Sequence, residues 1–299
     1  MTSFLLLTAA LLAIAAAARR LPAADAMADG LNAWILYVAL PALALELLPT
    51  LRFSRAIWFV VVAQWAMFLV SVVLVHWLGR RLHWQRERIG AVILLASLSN
   101  TAFIGLPLLD ALRGSEAVSL GLLADQLGCF IALTIGGAVV GTVYSGERTR
   151  IATIAGKVLR YPAFIAAVVG LAVGPLGGWP EAVPPVLHRV SQTLAPLALF
   201  SVGLRLRLHA RPDERGAIAL TLAWKLVAMP AIVLACGRAF GVQGMPLTVG
   251  VLQSAMPSMF VAVIMIRRYG LETDLGDTAL SVGLLLSFLT VPGWSLLLP

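Results

Sequence analysis

The chain has 299 residues, 60% of them hydrophobic and 12% charged, and its mean hydropathy of +0.94 excludes a soluble domain and calls for an integral membrane protein. Its formal charge of +8 is carried by short Arg and Lys clusters between apolar runs, with no basic helix or aromatic-interleaved patch, so nucleic acid is excluded as a partner and the lipid bilayer is the expected surrounding. Cys129 and Cys236 both fall inside apolar runs, which argues against a disulfide framework.

A membrane helix needs about 20 apolar residues. Windows of that kind lie near Thr2–Ala18, Ala28–Leu48, Ser54–Leu78, Ile89–Leu112, Ala117–Tyr144, Ile154–Leu176, Val186–Leu206, Ala217–Ala239, Met245–Ile266 and Asp277–Leu298. The first is read as a retained span and not a signal peptide, because Arg19 and Arg20 follow its apolar run instead of preceding it. In the sixth, Lys157, Arg160 and Pro162 suggest an interfacial lead-in. The expectation is an all-α polytopic protein of ten transmembrane helices.

The basic residues orient those spans. Loops one, three, five, seven and nine hold sixteen Arg and Lys: Arg19, Arg20, Arg80, Arg81, Arg86, Arg88, Arg148, Arg150, Lys157, Arg160, Arg205, Arg207, Arg211, Arg215, Arg267 and Arg268. The even loops hold five, namely Arg52, Arg55, Arg113, Arg189 and Arg238. The positive-inside rule then puts the odd loops in the cytoplasm and both termini on the non-cytoplasmic face of the inner (plasma) membrane.

Two spans are interrupted. From Ala91 to Leu112 the apolar run is broken by Ser97, Ser99, Asn100, Thr101, Gly105 and Pro107, and from Thr248 to Gly270 by Gln253, Ser254, Pro257 and Ser258. At mid-membrane such irregular backbone survives only where protein buries it or where it lines a cavity. The structural alternative is a pair of kinked helices whose hydroxyls satisfy freed carbonyls. Interrupted segments in corresponding positions of two halves point to a transporter site. Five spans per half means that the second half enters the membrane upside down, so the division is an inverted repeat, 1–148 and 149–299, with helices four and nine crossing. Ala39–Leu45 in span two and Ala195–Leu199 in span seven carry a trace of it.

Seven segments in order resemble the auxin efflux carrier family: LNAWILYVALPALAL from Leu31, SNTAFIGLPLL from Ser99, RYPAFIAAVVGLAVG from Arg160, LAPLALFSVGLRL from Leu194, WKLVAMP from Trp224, MPSMFVAVIMIRRYGLE from Met256 and SFLTVP from Ser287. The resemblance covers essentially the whole chain. It implies a fold akin to the bile-acid sodium symporters, with a scaffold of spans one, two, six and seven and a transport core of spans three to five and eight to ten. It also implies unwound segments in spans four and nine, matched here by Asn100–Pro107 and Gln253–Ser258, with Pro107 and Pro257 at the crossover. One departure is that the second cluster has no glycine beside its proline, which predicts a less open backbone there.

Physically, a helix that restarts at mid-membrane turns its first free N–H groups and the positive end of its dipole toward the cavity, which suits a carboxylate. Asn100, Thr101, Gly105, Pro107, Gln253, Ser254, Pro257 and Ser258 are therefore the candidate substrate-binding residues, and a small organic anion is the candidate substrate. Lys225 is the one basic residue deep in a span. It either serves the anion or a coupling proton, or pairs structurally with Asp125. Glu46, Asp110 and His76 lie near span ends and are read as interfacial. His76, His83, His188 and His209 are scattered and there is no HExxH or GxxxxGK[ST], so no metal, cofactor, enzyme activity or direct ATP drive is expected.

These readings converge on a secondary carrier of a small organic anion, and the resemblance implies malonate, another dicarboxylate or an auxin-like acid as its substrate, moved by alternating access. The crossover clusters offer no Asp or Glu, which favours proton-coupled or uncoupled movement over sodium symport. A sodium-coupled symporter and a non-transporting ligand sensor of the same fold are the alternatives, and a homodimer stays open.

Overall fold

The computed structural model describes residues 10–11, 13–15, 17–50, 57–146, 160, 162–204 and 211–298. Most of the expected first span, Arg148, Arg150, Lys157, Arg205 and Arg207 of the odd loops, and Arg52 and Arg55 of the even loops lie outside them.

Every regular element among the described residues is helical: α1 (Ala24–Thr50), α2 (Ile57–Arg81), α3 (Arg86–Ser97), α4 (Leu106–Arg113), α5 (Ser115–Ser145), α6 (Pro162–Leu176), α7 (Val183–Ser191), α8 (Leu194–Leu204), α9 (Arg215–Ala239), α10 (Gly244–Ser254), α11 (Phe260–Arg268) and α12 (Thr273–Leu296). Of these, α1, α2, α5, α9 and α12 are long and apolar enough to cross a membrane. The two interrupted stretches, Ala91–Leu112 and Thr248–Gly270, each appear as two shorter helices, α3 and α4, and α10 and α11.

Prolines widen these helices locally. A proline lacks its N–H and its ring collides with the carbonyl four residues back, so the turn before it opens. Three π turns end two residues before a proline: Ile35–Ala39 before Pro41, Thr101–Gly105 before Pro107 and Trp224–Ala228 before Pro230. Two further π turns, Ala124–Cys129 and Ala132–Gly137, lie in α5. The carbonyl that Pro230 cannot use, that of Leu226, accepts a hydrogen bond from Trp294 Nε1 at 2.8 Å. Likewise Leu127 O, inside the Asp125 turn, accepts from Trp65 Nε1 at 3.1 Å.

The chain divides into two compact units. The first comprises Met1–Ser54, Ala102–Leu122 and Leu159–Leu206. In it α6 packs on α1, and the GLAVG segment makes this possible, because a Cβ on Gly170 would lie 2.7 Å from Ala44 O and one on Gly174 would lie 2.5 Å from Pro49 O. Trp179 Nε1, in the loop after α6, donates to Leu45 O and ties that loop to α1.

The second unit comprises Arg55–Thr101, Leu123–Val158 and Arg207–Pro299. Its centre is α3, buried continuously from Ile89 to Ser97 and enclosed by side chains of α2, α5, α9, α11 and α12. A helix apolar on all sides is a buried helix. Small residues let its neighbours close in: Gly141 meets the Tyr269 ring, Gly136 the Phe68 ring and Gly90 the Tyr144 side chain.

Candidate functional site

The site of interest lies in the second unit, where the two interrupted spans cross. After Ser97 the chain leaves the helix with Leu98 at φ −103°, ψ 116°, and before α11 Met259 is extended at φ −74°, ψ 136°. The two stretches run antiparallel, joined by a bridge between Ser99 and Ser258. Asn100 N–H donates to Pro257 O at 2.8 Å and Met259 N–H donates to Leu98 O at 3.0 Å. Each break thus takes up the backbone groups that the other leaves, which is how non-helical backbone is tolerated at membrane depth. No residue of either break has a positive φ, so the missing glycine in the second cluster costs nothing.

Side chains tighten the crossing. Ser258 Oγ donates to Leu95 O at 2.9 Å, Gln253 Nε2 reaches Thr101 O at 3.4 Å, and Ser254 Oγ turns back to Gly250 O at 2.7 Å. Asn100, Thr101, Gln253, Ser254 and Ser258 are all buried. The structure therefore brings together Asn100, Thr101, Gln253, Ser254, Pro257 and Ser258.

Gly105 and Pro107 belong to the first unit. Pro257 is in the crossing, and Pro107 follows the π turn Thr101–Gly105, whose widened backbone accommodates the missing N–H and the ring. The partner of Pro257 is the proline-free stretch Leu98–Asn100.

The buried charges stand on the two sides of this stretch. Lys225, fully buried on its π turn, donates from Nζ to Ser99 Oγ at 2.6 Å and contacts Met229 Sδ at 3.5 Å. Asp125, 2% exposed, accepts from Thr101 Oγ1 at 2.5 Å and from Gln126 Nε2 at 2.7 Å. Cys129, one turn on from Asp125, donates from Sγ to Ser99 O at 3.2 Å. Lys225 and Asp125 do not form the direct ion pair that their types suggest; each is held by neutral partners, and the residues on either side of Asn100 separate them. Ser97 Oγ, Gln126 Oε1 and Gln64 Nε2 are buried there without a hydrogen-bond partner.

Sequence reasoning missed Ser99 and Gln126 as partners of these charges, although Gln126 adjoins Asp125 and Ser99 adjoins Asn100. It also missed a polar pocket in the first unit. Glu46 accepts from His188 Nδ1 at 2.7 Å and from the Ser191 hydroxyl at 2.5 Å, beside a cavity of about 210 Å³ also lined by Pro107 and Asp110. The spacing of His188 and Ser191, one helical turn apart, was the available signal.

At the polar rim of the second unit, Arg88 forks between Glu272, at 2.8 Å, and Asp213, at 2.7 Å. The guanidinium holds the Asp213 carboxyl below its usual range.

Two broken, crossing spans with polar faces and charges buried beside them suit movement of a solute. Residues 1–295 match the family described as membrane transport protein. The chain belongs to this family, that of the auxin efflux carriers. The transporter is 26% identical to the uncharacterized transporter YfdV of Escherichia coli over 296 residues, 92% of this chain and 90% of the relative. It is 24% identical over 204 residues to an uncharacterized transporter of Methanothermobacter thermautotrophicus, 68% of this chain and 66% of the relative. A probable auxin efflux carrier component 5b of Oryza sativa is 30% identical over 138 residues, which is 44% of the transporter and 38% of the plant protein.

Proposed function

We propose that this transporter is a secondary carrier that moves a small organic anion, a carboxylate such as malonate, another dicarboxylate or an auxin-like acid, by alternating access. The observation that carries the reading is the crossing of Leu98–Asn100 with Pro257–Met259, where the chain restarts as helix at Thr101 and at Phe260. Both restarts turn the positive end of a helix dipole toward a carboxylate in the crossing, and Asn100, Thr101, Gln253 and Ser258 add neutral polar groups. Gly105 and Pro107 serve the site through the helical restart that they shape.

The wider frame of the proposal is ten spans in two inverted repeats, 1–148 and 149–299, with a scaffold and a transport core, in the inner membrane with both termini outside. Residue groupings support the parity of the loops. Arg88, Asp213 and Glu272 belong to the ends of odd loops and meet in one cluster, while Glu46, Asp110 and His188 border even loops and line one pocket. Sodium symport is disfavoured because the Lys225 ammonium, placed on Ser99, would repel a second cation there.

A thermal-shift screen of carboxylates on the purified chain tests the site. Malonate, succinate and indole-3-acetate serve as probes, and at least one raises the melting temperature in proportion to the logarithm of its concentration once binding saturates. Asn100→Ala and Gln253→Ala each weaken that response about tenfold or more, the loss of one good hydrogen bond to a charged group. Equal responses in wild type and both variants would place the anion elsewhere.

A further inference from the structure

We infer that Asp125 and Lys225 together form a proton-binding site that loads about one proton with each anion that enters the crossing, which makes transport proton-coupled. This rests on the anion-carrier reading and assigns its coupling ion.

The geometry has three parts. Both charges are buried, and neither touches an opposite charge: Lys225 meets Ser99 Oγ and Met229 Sδ, while Asp125 meets Thr101 Oγ1 and Gln126 Nε2. Both attach to the same short stretch, Ser99 and Thr101, whose middle residue Asn100 is bonded to Pro257 in the crossing. And Gln126 Oε1 is buried without a partner next to the Asp125 carboxylate.

Charge balance gives the consequence. Without anion the two groups sum to zero, whichever of them holds the shared proton. A carboxylate in the crossing adds a negative charge in a medium where unbalanced charge is costly. The pair can answer by gaining one proton, after which it is protonated Asp125 and the Lys225 ammonium, and it can gain no second. The proton comes from water on the side to which the site is open and binds a carboxylate oxygen of Asp125; no other bond forms or breaks. It leaves with the anion on the other side. Neutral Asp125 needs an acceptor for its new O–H, and a half-turn of the adjoining Gln126 amide supplies Oε1.

The titratable and charged groups around Asp125 are few. Cys129 lies one turn away on the same helix and bonds Ser99 O, and Lys225 comes from α9. From α2, packed against this turn, the side chains are Gln64 and Trp65, both neutral. The crossing itself contributes Ser99, Asn100 and Thr101. Among the described residues around the crossing, a proton taken up on anion binding therefore has one carboxylate to go to.

The test is isothermal calorimetry on the purified full chain, with malonate and acetate as probes, in two buffers of different ionisation enthalpy at one pH. The difference in apparent heat counts the protons taken up per anion bound. The expected result is about one proton per anion in wild type and in Asp125→Glu, and close to none in Asp125→Asn, whose side chain mimics the protonated form. Wild-type binding without proton uptake overturns the proposal and leaves the anion carrier standing; so does uptake that survives in Asp125→Asn. Binding of neither probe contradicts the anion site itself and the coupling with it. Should Asp125→Asn fail to fold, the wild-type count alone decides.

Discussion

Lys225 and Asp125 show how a buried charge persists without a salt bridge. An intramembrane Lys or Asp costs about 2.5–3.5 kcal/mol at mid-helix, and each here is offset by two polar contacts instead of by the other. Asp125→Ala leaves the Thr101 hydroxyl and the Gln126 amide without their acceptor and should cost about 1–3 kcal/mol, while Lys225→Ala adds a cavity and should cost about 2–5 kcal/mol. Because Ser99 and Thr101 stand between the charges, the double variant should come within about 1 kcal/mol of additivity in denaturation measurements. Recovery of several kcal/mol in the double variant would reveal a direct pair. At the rim, Asp213 gives a pH test. Its carboxyl is held below its usual range, so its contribution is present at neutral pH and is lost as pH falls below about 4 through the folded-state value. Asp213→Asn should therefore lower the melting temperature near neutrality at low salt and have no effect below that range; a difference that grows on acidification would contradict the sign.

Among the elements, the prolines carry the most local information. Pro41, Pro107 and Pro230 each follow a widened turn, and the Pro230 turn holds Lys225. Trp294 caps the freed Leu226 carbonyl, so Trp294→Phe should cost about 1–3 kcal/mol through an unsatisfied buried acceptor. In a Pro230→Ala background, where residue 230 regains an N–H for that carbonyl, the same change should cost less. An equal loss in both backgrounds, read by thermal melts, would separate the tryptophan from the proline. The interruptions of spans four and nine were legible from their Ser, Asn, Thr and Gln residues, and the crossing of Leu98–Asn100 with Pro257–Met259 follows from them. Its register was not. The strand-like pairing at Ser99 depends on a partner more than 150 residues away. The Glu46, His188 and Ser191 cluster escaped for the same reason: its members are unremarkable singly and meet only in the fold.

At the scale of the whole molecule, apolar content announced a membrane protein, and the seven matching segments announced its family. The Arg and Lys distribution predicts the orientation. Reporter fusions at Pro299 should read as external and fusions at Glu147 as cytoplasmic, and the reverse pattern would invert the topology. The central claim is that the crossing carries an anion through the membrane and does not simply bind it. Its most direct measurement is exchange of labelled malonate across proteoliposomes loaded with each of the carboxylates that stabilise the purified chain. The account predicts exchange that saturates with external malonate and falls about tenfold or more in Asn100→Ala. Binding of malonate with no exchange above protein-free vesicles would contradict it and leave a sensor in its place.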